Sequence, residues 1–523
     1  MKKAYILLIS ILAFTAFSCR EWMNVDPAGT QTTNSYWTSK TDVEAVLGSA
    51  YQALRSCLSD GSSPIVYWGE MRGNGLTMTD GAANNARSGN LTPSNSHCDW
   101  RLLYTLIGRA NSVIKYAPTV VEKDASFYES EMLSTVGEAH FLRALAYFYL
   151  VRTFKDVPYL TEPYVTDDAE FMLPQTDGNA ILRAEIAALT QYLPSAKVFF
   201  TDPVDNKGRV TRWAMYTLIA DMNLWLSASD HTGNTDGYLR ACIEACDEVI
   251  DSHYIALIGT LGSDQDWFYN FYPGNSNESI FEVQFSSVLS GEGNGFHSRF
   301  YGQYRNGTIP SWAFTTSYTT LGRFMTQADD SDLRGEGATF GKLDPANDDR
   351  NNMYSIWKYI GKTPDTERVS DDNSMNDQNW IIYRMAEVYL MKAEALAMQG
   401  FTDEALVNLN KVRERGGSLP RESAQYGDEY SVILAILYER DLEFVAEAKN
   451  WFDMLRIGLR YNKDSRYRDL LVSEMTSGLT ATEKLLVQSK MSNVNWWYLP
   501  VSSSELEANT ALVQNPAFAN FGK

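Results

Sequence analysis

Apolar residues recur along this chain in three rhythms, and each predicts a different kind of element. The first is one unbroken run. Lys2 and Lys3 precede Ala4 to Phe17, which are almost all apolar, and Ser18-Cys19 follows. The run is shorter than the ~20 residues of a membrane-spanning helix. Positive charge, a short apolar run and small residues at its end describe a secretory signal. The second rhythm is helical. Val43, Val46, Leu47, Ala50 and Leu54 share one face, and Thr41 with Glu44 reads as a capping box ahead of them. Helical spacing returns over Leu102 to Tyr116, 178–192, 210–228 and 237–251, then from about 378 to 460. Gly137 to Phe154, GEAHFLRALAYFYLVRTF, is apolar nearly all round, which predicts a central buried helix. It stops before Pro158, because the residue ahead of a proline avoids the helical region. The third rhythm is alternation. FEVQF, Phe281 to Phe285, has period two and predicts a strand.

Polar segments separate these elements. Residues 19–35 read as a tether, with Pro27 and Gly29. Residues 60–98 are rich in Gly, Asn and Ser and read as a long loop, a kind of segment that is usually functional or disordered. Over 255–375 the helical period fades while Gly, Asn and aromatic residues rise. Residues 496–523 read as loop with short turns.

The most legible pair is NWIIYRMAEVYLMKAEALAMQG, Asn379 to Gly400, and FTDEALVNLNKVRERGG, Phe401 to Gly417. Gly400 stops the first helix and Thr402 is placed to cap the second. Asp403 and Glu404 stand in its first turn, and Lys411, Arg413 and Arg415 in its last, each sign opposing the helix dipole. Ala393, Ala405, Leu409 and Val412 have the spacing of a degenerate tetratricopeptide unit.

Composition narrows the partners. The 523 residues are 44% hydrophobic and 13% aromatic, enough for a large core with rings left over for the surface. By length the chain holds roughly two to four domains. The net charge of −20, or −22 once Lys2 and Lys3 are removed, argues against nucleic acid and other polyanions. Cys57, Cys98, Cys242 and Cys246 are too few for a disulfide scaffold. Cys242 and Cys246 stand four apart on a predicted helix, but no histidine is placed to complete a metal set, so buried thiols are expected. There is no G-x-S-x-G, Walker A, G-x-G-x-x-G or H-E-x-x-H motif, so no catalytic residue, metal or cofactor is assigned.

The order of several stretches resembles the SusD/RagB family of surface nutrient-binding lipoproteins. These are Cys19, in a stretch like a bacterial lipoprotein signal; GRANSVI, Gly108 to Ile114; EAHFLRALAYFYLVRTFKDVPYLTEP, Glu138 to Pro163; and GRVTRWAMYTLIADMNLWL, Gly208 to Leu226. Then come ESIFEVQF, Glu278 to Phe285; YRMAEVYLMKAEALAMQG, Tyr383 to Gly400; ERDLEFVAEAKNWFDMLRIG, Glu439 to Gly458; and YLPVSSSELEANTALVQNPAF, Tyr498 to Phe518. The resemblance implies a mostly α fold, with a tetratricopeptide-like helix-pair scaffold and a docked loop-rich region carrying a few short strands. It implies a signal peptide over 1–18, a lipid-anchored tether over 19–35 and one SusD-like domain over 36–523. Within that domain, 36–254 and 376–495 are the scaffold, 255–375 the ligand region and 496–523 a C-terminal loop. Lipidation of Cys19 at the outer membrane, facing the cell exterior, would follow. So would oligosaccharide capture, without catalysis, for a SusC-like TonB-dependent transporter. A glycan-degrading surface enzyme and a binder of peptide or another non-sugar nutrient are the alternatives.

Glu439, Glu443 and Glu447 are spaced as a repulsive i,i+4 ladder unless cations face them, and partners are expected among Arg440, Arg456, Arg413 and Arg415. Apolar neighbours make this a scaffold network rather than an active site, and the resemblance treats Glu138 and Arg143 likewise. Ligand candidates lie elsewhere. Residues 264–318 hold 14 aromatics in 55 positions, interleaved with amides and Arg305. Rings offer a platform to the C–H face of a sugar, and amides and guanidinium groups bond its hydroxyl rim. Trp267, Tyr269, Tyr301, Tyr304 and Trp312 are the candidates there. For any one of these rings packing against the helices is the better explanation; at least two of the cluster are expected to face ligand. Tyr67 to Asp80 adds Trp68, Arg72, Asn74 and Asp80, with His97 and Trp100 as weaker members.

Overall fold

Helix α1, Lys40–Ser56, is capped two residues before the expected Thr41. Ser39 is the N-cap: its hydroxyl accepts from the Asp42 N–H, while the Asp42 carboxylate accepts from the Ser39 N–H at 2.8 Å. Asp42 also takes the N–H and hydroxyl of Thr38, which Glu44 has no equivalent of. In this computed structural model the described residues are 36–58, 64–73, 75–78, 81–164, 172–258, 264–272, 274–286, 293–294, 300, 314–316, 332–335, 339–342, 354–359 and 377–521.

The segment 60–98 is more ordered than a loop. It contains α2 (Pro64–Glu70), β1 (Leu76–Met78) and α3 (Gly81–Arg87), and α2 is wholly buried. Seven-residue helices are too short to display a 3.6-residue period, which hides them from pattern reading. Next come α4 (Arg101–Val120) and α5 (Glu129–Phe154). Helix α5 is buried without a break from Ser134 to Phe154, as its all-round apolar surface predicts. It packs between α4 and α6 (Gly178–Tyr192), after the small ribbon of β2 (Val157–Pro158) and β3 (Gln175–Thr176). The short α7 (Asp205–Gly208) leads to α8 (Arg212–Ser229) and α9 (Thr235–Ile250), an antiparallel pair. Cys242 and Cys246 are buried free thiols on α9.

After α10 (Asp264–Tyr269), β4 (Ser279–Val283) supplies the strand expected at FEVQF, but it begins two residues earlier, ends at Val283 and is buried at every position rather than alternating. Strands β5 (Phe314–Thr316), β6 (Phe340–Lys342) and β7 (Tyr354–Ile356) join β1 in a four-stranded sheet of order β1-β5-β7-β6. Strand β8 (Trp380–Arg384) pairs antiparallel with β4. This corrects the helix expected from about 378. WIIYR is β-branched and aromatic, both of its faces are buried, and its backbone is claimed by β4. The helix begins one residue later, at Met385, whose N–H donates to the Glu278 carbonyl at 2.9 Å.

Helices α11 (Met385–Met398) and α12 (Thr402–Arg415) form the tetratricopeptide-like pair, with Ala393, Ala405, Leu409 and Val412 buried between elements. Gly400 takes φ +85° at the turn. Phe401, not Thr402, is the N-cap, and no side chain caps the helix. Helices α13 (Glu429–Glu443), α14 (Asn450–Arg460), α15 (Ser465–Thr476), α16 (Ala481–Met491) and α17 (Ser503–Ala508) complete the chain. The C-terminal stretch is bonded in place: the Leu499 N–H donates to Thr153 and the Ser503 N–H to Pro93. The fold is mostly helical with few short strands, as expected.

Candidate functional site

The loop-rich segment meets the helical scaffold at a buried island of charge. Helix α13 ends at Glu443, so Glu439 and Glu443 project from its last turn, while Glu447 comes from the following turn, where Ala446 and Ala448 adopt φ +62° and +60°. Glu439 binds Arg334 at 2.6 Å and Arg413 at 2.7 Å. Glu443 binds Arg334 at 2.8 Å and also Arg384 and Arg415. Glu447 binds Arg384 at 2.8 Å and Lys358 at 2.5 Å. Glu278 answers Arg384 and Arg415, and Asp332 answers Arg334. Five carboxylates thus face five cations, with every side chain at most 4% exposed.

Part of this was legible. Arg413 and Arg415 are partners as expected. Arg440 and Arg456 are not: they bind Glu387, Glu394 and Asp453 in a second cluster beside the first. The partners that sequence reasoning missed are Arg334, Lys358 and Arg384. Two of them are isolated cations in a stretch without periodicity, and Arg384 closes a strand read as helix, so only contact order in space could reveal them.

Burial alone would raise the Glu443 carboxyl, but Arg415, Arg384 and Arg334 together hold it well below its ordinary value. Glu447 is likewise held low, against burial, by Arg384 and Lys358. Carboxylates held ionised in this way are poor proton donors, whereas glycoside cleavage needs one protonated acid. Burial lowers Lys358 to about 8, opposed by Glu447. Its ammonium also donates to the carbonyls of Glu443 and Val445 at 2.9 Å each. Glu138 and Arg143 are structural in the same sense: Glu138 binds Arg209 and the Tyr51 hydroxyl, each at 2.7 Å, and Arg143 binds Glu185 at 3.0 Å.

The structure sorts the candidate ligand residues by burial. Trp68 is 1% exposed; its Nε1 donates to the His97 carbonyl at 2.7 Å and its ring stands edge-on to Phe154. Arg72 is equally buried. It donates to the Trp497 and Trp496 carbonyls at 2.7 and 2.6 Å and lies over the rings of Trp451 and Trp496. Trp267 is 3% exposed, with the Arg415 guanidinium 4.9 Å from its ring centre. These three side chains are therefore committed to the interior, and burial removes them from a surface platform. His97 stacks on Tyr67 and Trp100 packs edge-on to Phe154, both buried. Tyr269 is the outward-facing candidate, 55% exposed on α10. Cys19, Asn74, Asp80, Tyr301, Tyr304 and Trp312 lie outside the described residues. Trp267 and Tyr269 sit on one short helix, the first inward on the charge island and the second outward.

Among the described residues no helix is long and apolar enough to cross a membrane, and no group of three or more His, Cys, Asp or Glu residues is arranged to hold a metal.

Comparison with known proteins covers nearly the whole chain. Residues 299–518 match the model of the SusD family, and residues 23–224 match a model described as starch-binding, associating with the outer membrane. Two SusD-like proteins of Formosa agariphila are each 24% identical; one alignment covers 86% of this chain and 90% of the relative, the other 99% of both. Among solved structures, a SusD homolog from Bacteroides thetaiotaomicron aligns with a TM-score of 0.71 at 23% identity, over 92% of this chain and 100% of that one. A SusD superfamily protein from Bacteroides vulgatus aligns at 0.72 and 18% identity, with the same coverage. A laminarin-binding SusD-like protein aligns at 0.67 and 23% identity, again over 92% and 100%. The two family models, met in order along one helical scaffold, show that this chain belongs to the SusD/RagB family.

Proposed function

We propose that this protein is a glycan-binding lipoprotein of the cell surface, which captures oligosaccharide and passes it to a SusC-like TonB-dependent transporter without altering it. The observation that carries the reading is the match of residues 23–224 to a model described as starch-binding and associating with the outer membrane, beside the match of 299–518 to the SusD family. The laminarin-binding relative lends support from a second neutral glucan. The acidic charge of −20 fits a neutral ligand better than a polyanion. In this reading the anchor is the lipidated Cys19, and the ligand platform is the aromatic segment, with Tyr269, Tyr301, Tyr304 and Trp312 as its rings and Asn74 and Asp80 as polar contacts.

The test is calorimetric titration of the full chain with starch and laminarin fragments and other neutral and charged oligosaccharides, followed by product analysis. Saturable binding and intact sugar are expected. Cleaved sugar would make the protein an enzyme, and binding of peptides alone would replace the glycan.

A further inference from the structure

The described residues enclose a cleft of about 420 Å³ far along the chain from the aromatic segment, where the ends of α5, α8 and α14 meet the start of α6. That volume falls within the range of small-molecule sites. Its apolar lining is Val151, Trp225, Leu459 and Val494, the first three of them buried. Part of its polar lining is held in place by bonds within the protein. Asp230 accepts from the Tyr238 hydroxyl at 2.6 Å and the Thr232 N–H at 3.0 Å and pairs with Arg183. Asn179 and Ser229 bond each other reciprocally, at 2.8 and 3.0 Å. A wall whose rotamers are already fixed loses little freedom when a ligand arrives.

Four further side chains line the cleft with their hydrogen-bonding capacity unspent: the Lys155 ammonium, the His231 imidazole, the Asn462 amide and the Tyr498 hydroxyl. Lys155 holds its position at a conformational cost. It takes φ +72° and ψ −78° at the centre of a γ-turn closed by the Asp156 N–H on the Phe154 carbonyl at 3.1 Å. Glycine would adopt this turn freely, whereas a lysine there is strained. Such outliers concentrate where a side chain is put to use.

We infer that this cleft is a second binding site, taking one or two units of a neutral saccharide. The chemistry follows from the lining. Mixed donors and acceptors in a cleft of this size match the hydroxyl rim of a sugar ring. The lining sets Asp156, Asp177 and Asp230 against Lys155 and Arg183, and that excess of negative charge rejects phosphate, sulfate and uronate groups. The site rests on this geometry alone and does not require the aromatic platform.

Saturation-transfer NMR of the full chain tests it, with glucose, galactose, mannose, xylose and N-acetylglucosamine as probes and glucuronate as the charged counterpart. At least one neutral sugar is expected to bind, and its affinity to fall at least tenfold in the double variant His231→Ala, Asn462→Ala. Asn462→Trp, which fills the cleft from a half-buried position, should do the same, and near-UV circular dichroism checks that both variants fold. No transfer from any neutral sugar, binding unchanged in both variants, or glucuronate bound as well as its neutral parent would each overturn the inference. A signal lost in Tyr269→Ala and kept in the cleft variants would assign the binding to the aromatic segment and overturn it equally.

Discussion

Arg384 spends all of its donors. Its Nε donates to Glu447, its Nη1 to Glu278 and Glu443, and its Nη2 to Glu447 and the Glu443 carbonyl, all at zero exposure. Removing it strands carboxylates that cannot reach water. Arg384→Met should therefore cost ~3–5 kcal/mol in chemical denaturation. Arg466 pairs with Asp428 and Asp464 in solvent, and Arg466→Met should leave the midpoint unmoved. Equal effects would mean that the charge island is not the joint it looks like. Glu70 behaves in the opposite sense. Burial raises it to about 8 against an ordinary 4.5, although the Ala448 N–H donates to it at 2.9 Å. Folded protein then holds a proton that unfolded protein has lost, so this contribution is complete below pH 4.5 and is lost as pH rises through 8. Glu70→Gln cannot lose that proton. Its denaturation midpoint should fall less than that of the wild type between pH 5 and 8.5, and parallel curves would refute the assignment.

At the scale of elements, the turn after α5 sets how closely α6 can approach. A Cβ built on Gly178 would lie 2.1 Å from the Lys155 carbonyl oxygen and 2.8 Å from Val151 Cγ1. Backbone cannot swing aside, so Gly178→Ala should destabilise by ~1–3 kcal/mol. An unchanged melting midpoint would show that the γ-turn relaxes freely. Elements of this length were readable where one physical rule dominated. The all-round apolar surface of α5 could only be buried, and the break after Gly400 could only be a turn. Reading failed where two rules agreed locally and distance in the fold chose between them. WIIYR is compatible with helix or strand until β4 is beside it. Thr41 and Ser39 both begin a capping box, and Asp42 selects Ser39 by also binding Thr38. Trp68, Arg72 and Trp267 had the composition of a sugar platform, but composition does not carry direction. Their partners lie 29, 425 and 148 positions away along the chain, beyond any local pattern.

The whole molecule raises the matter of its attachment. The described chain begins near Trp37, whose ring stacks on Tyr116 at 5.1 Å, and Lys40 is tied to Asp124 through its N–H at 2.8 Å. The body is thus gripped from its first described residues. In the proposed reading residues 19–35 are the tether, and 17 residues reach at most about 60 Å when fully extended. Among the described residues no helix is long and apolar enough to cross a membrane. Acyl chains on Cys19 would supply the grip, at about 0.8 kcal/mol for each buried methylene. Cys19→Ala should then shift the protein from the membrane to the soluble fraction and abolish labelling of intact cells, while its melting midpoint stays where it was. Mass spectrometry of the membrane-bound wild type should find the lipid on Cys19. A Cys19→Ala protein that still labels on intact cells would mean that another contact holds it there, with the transporter as the first suspect. In that case the greasy N-terminal run serves export alone.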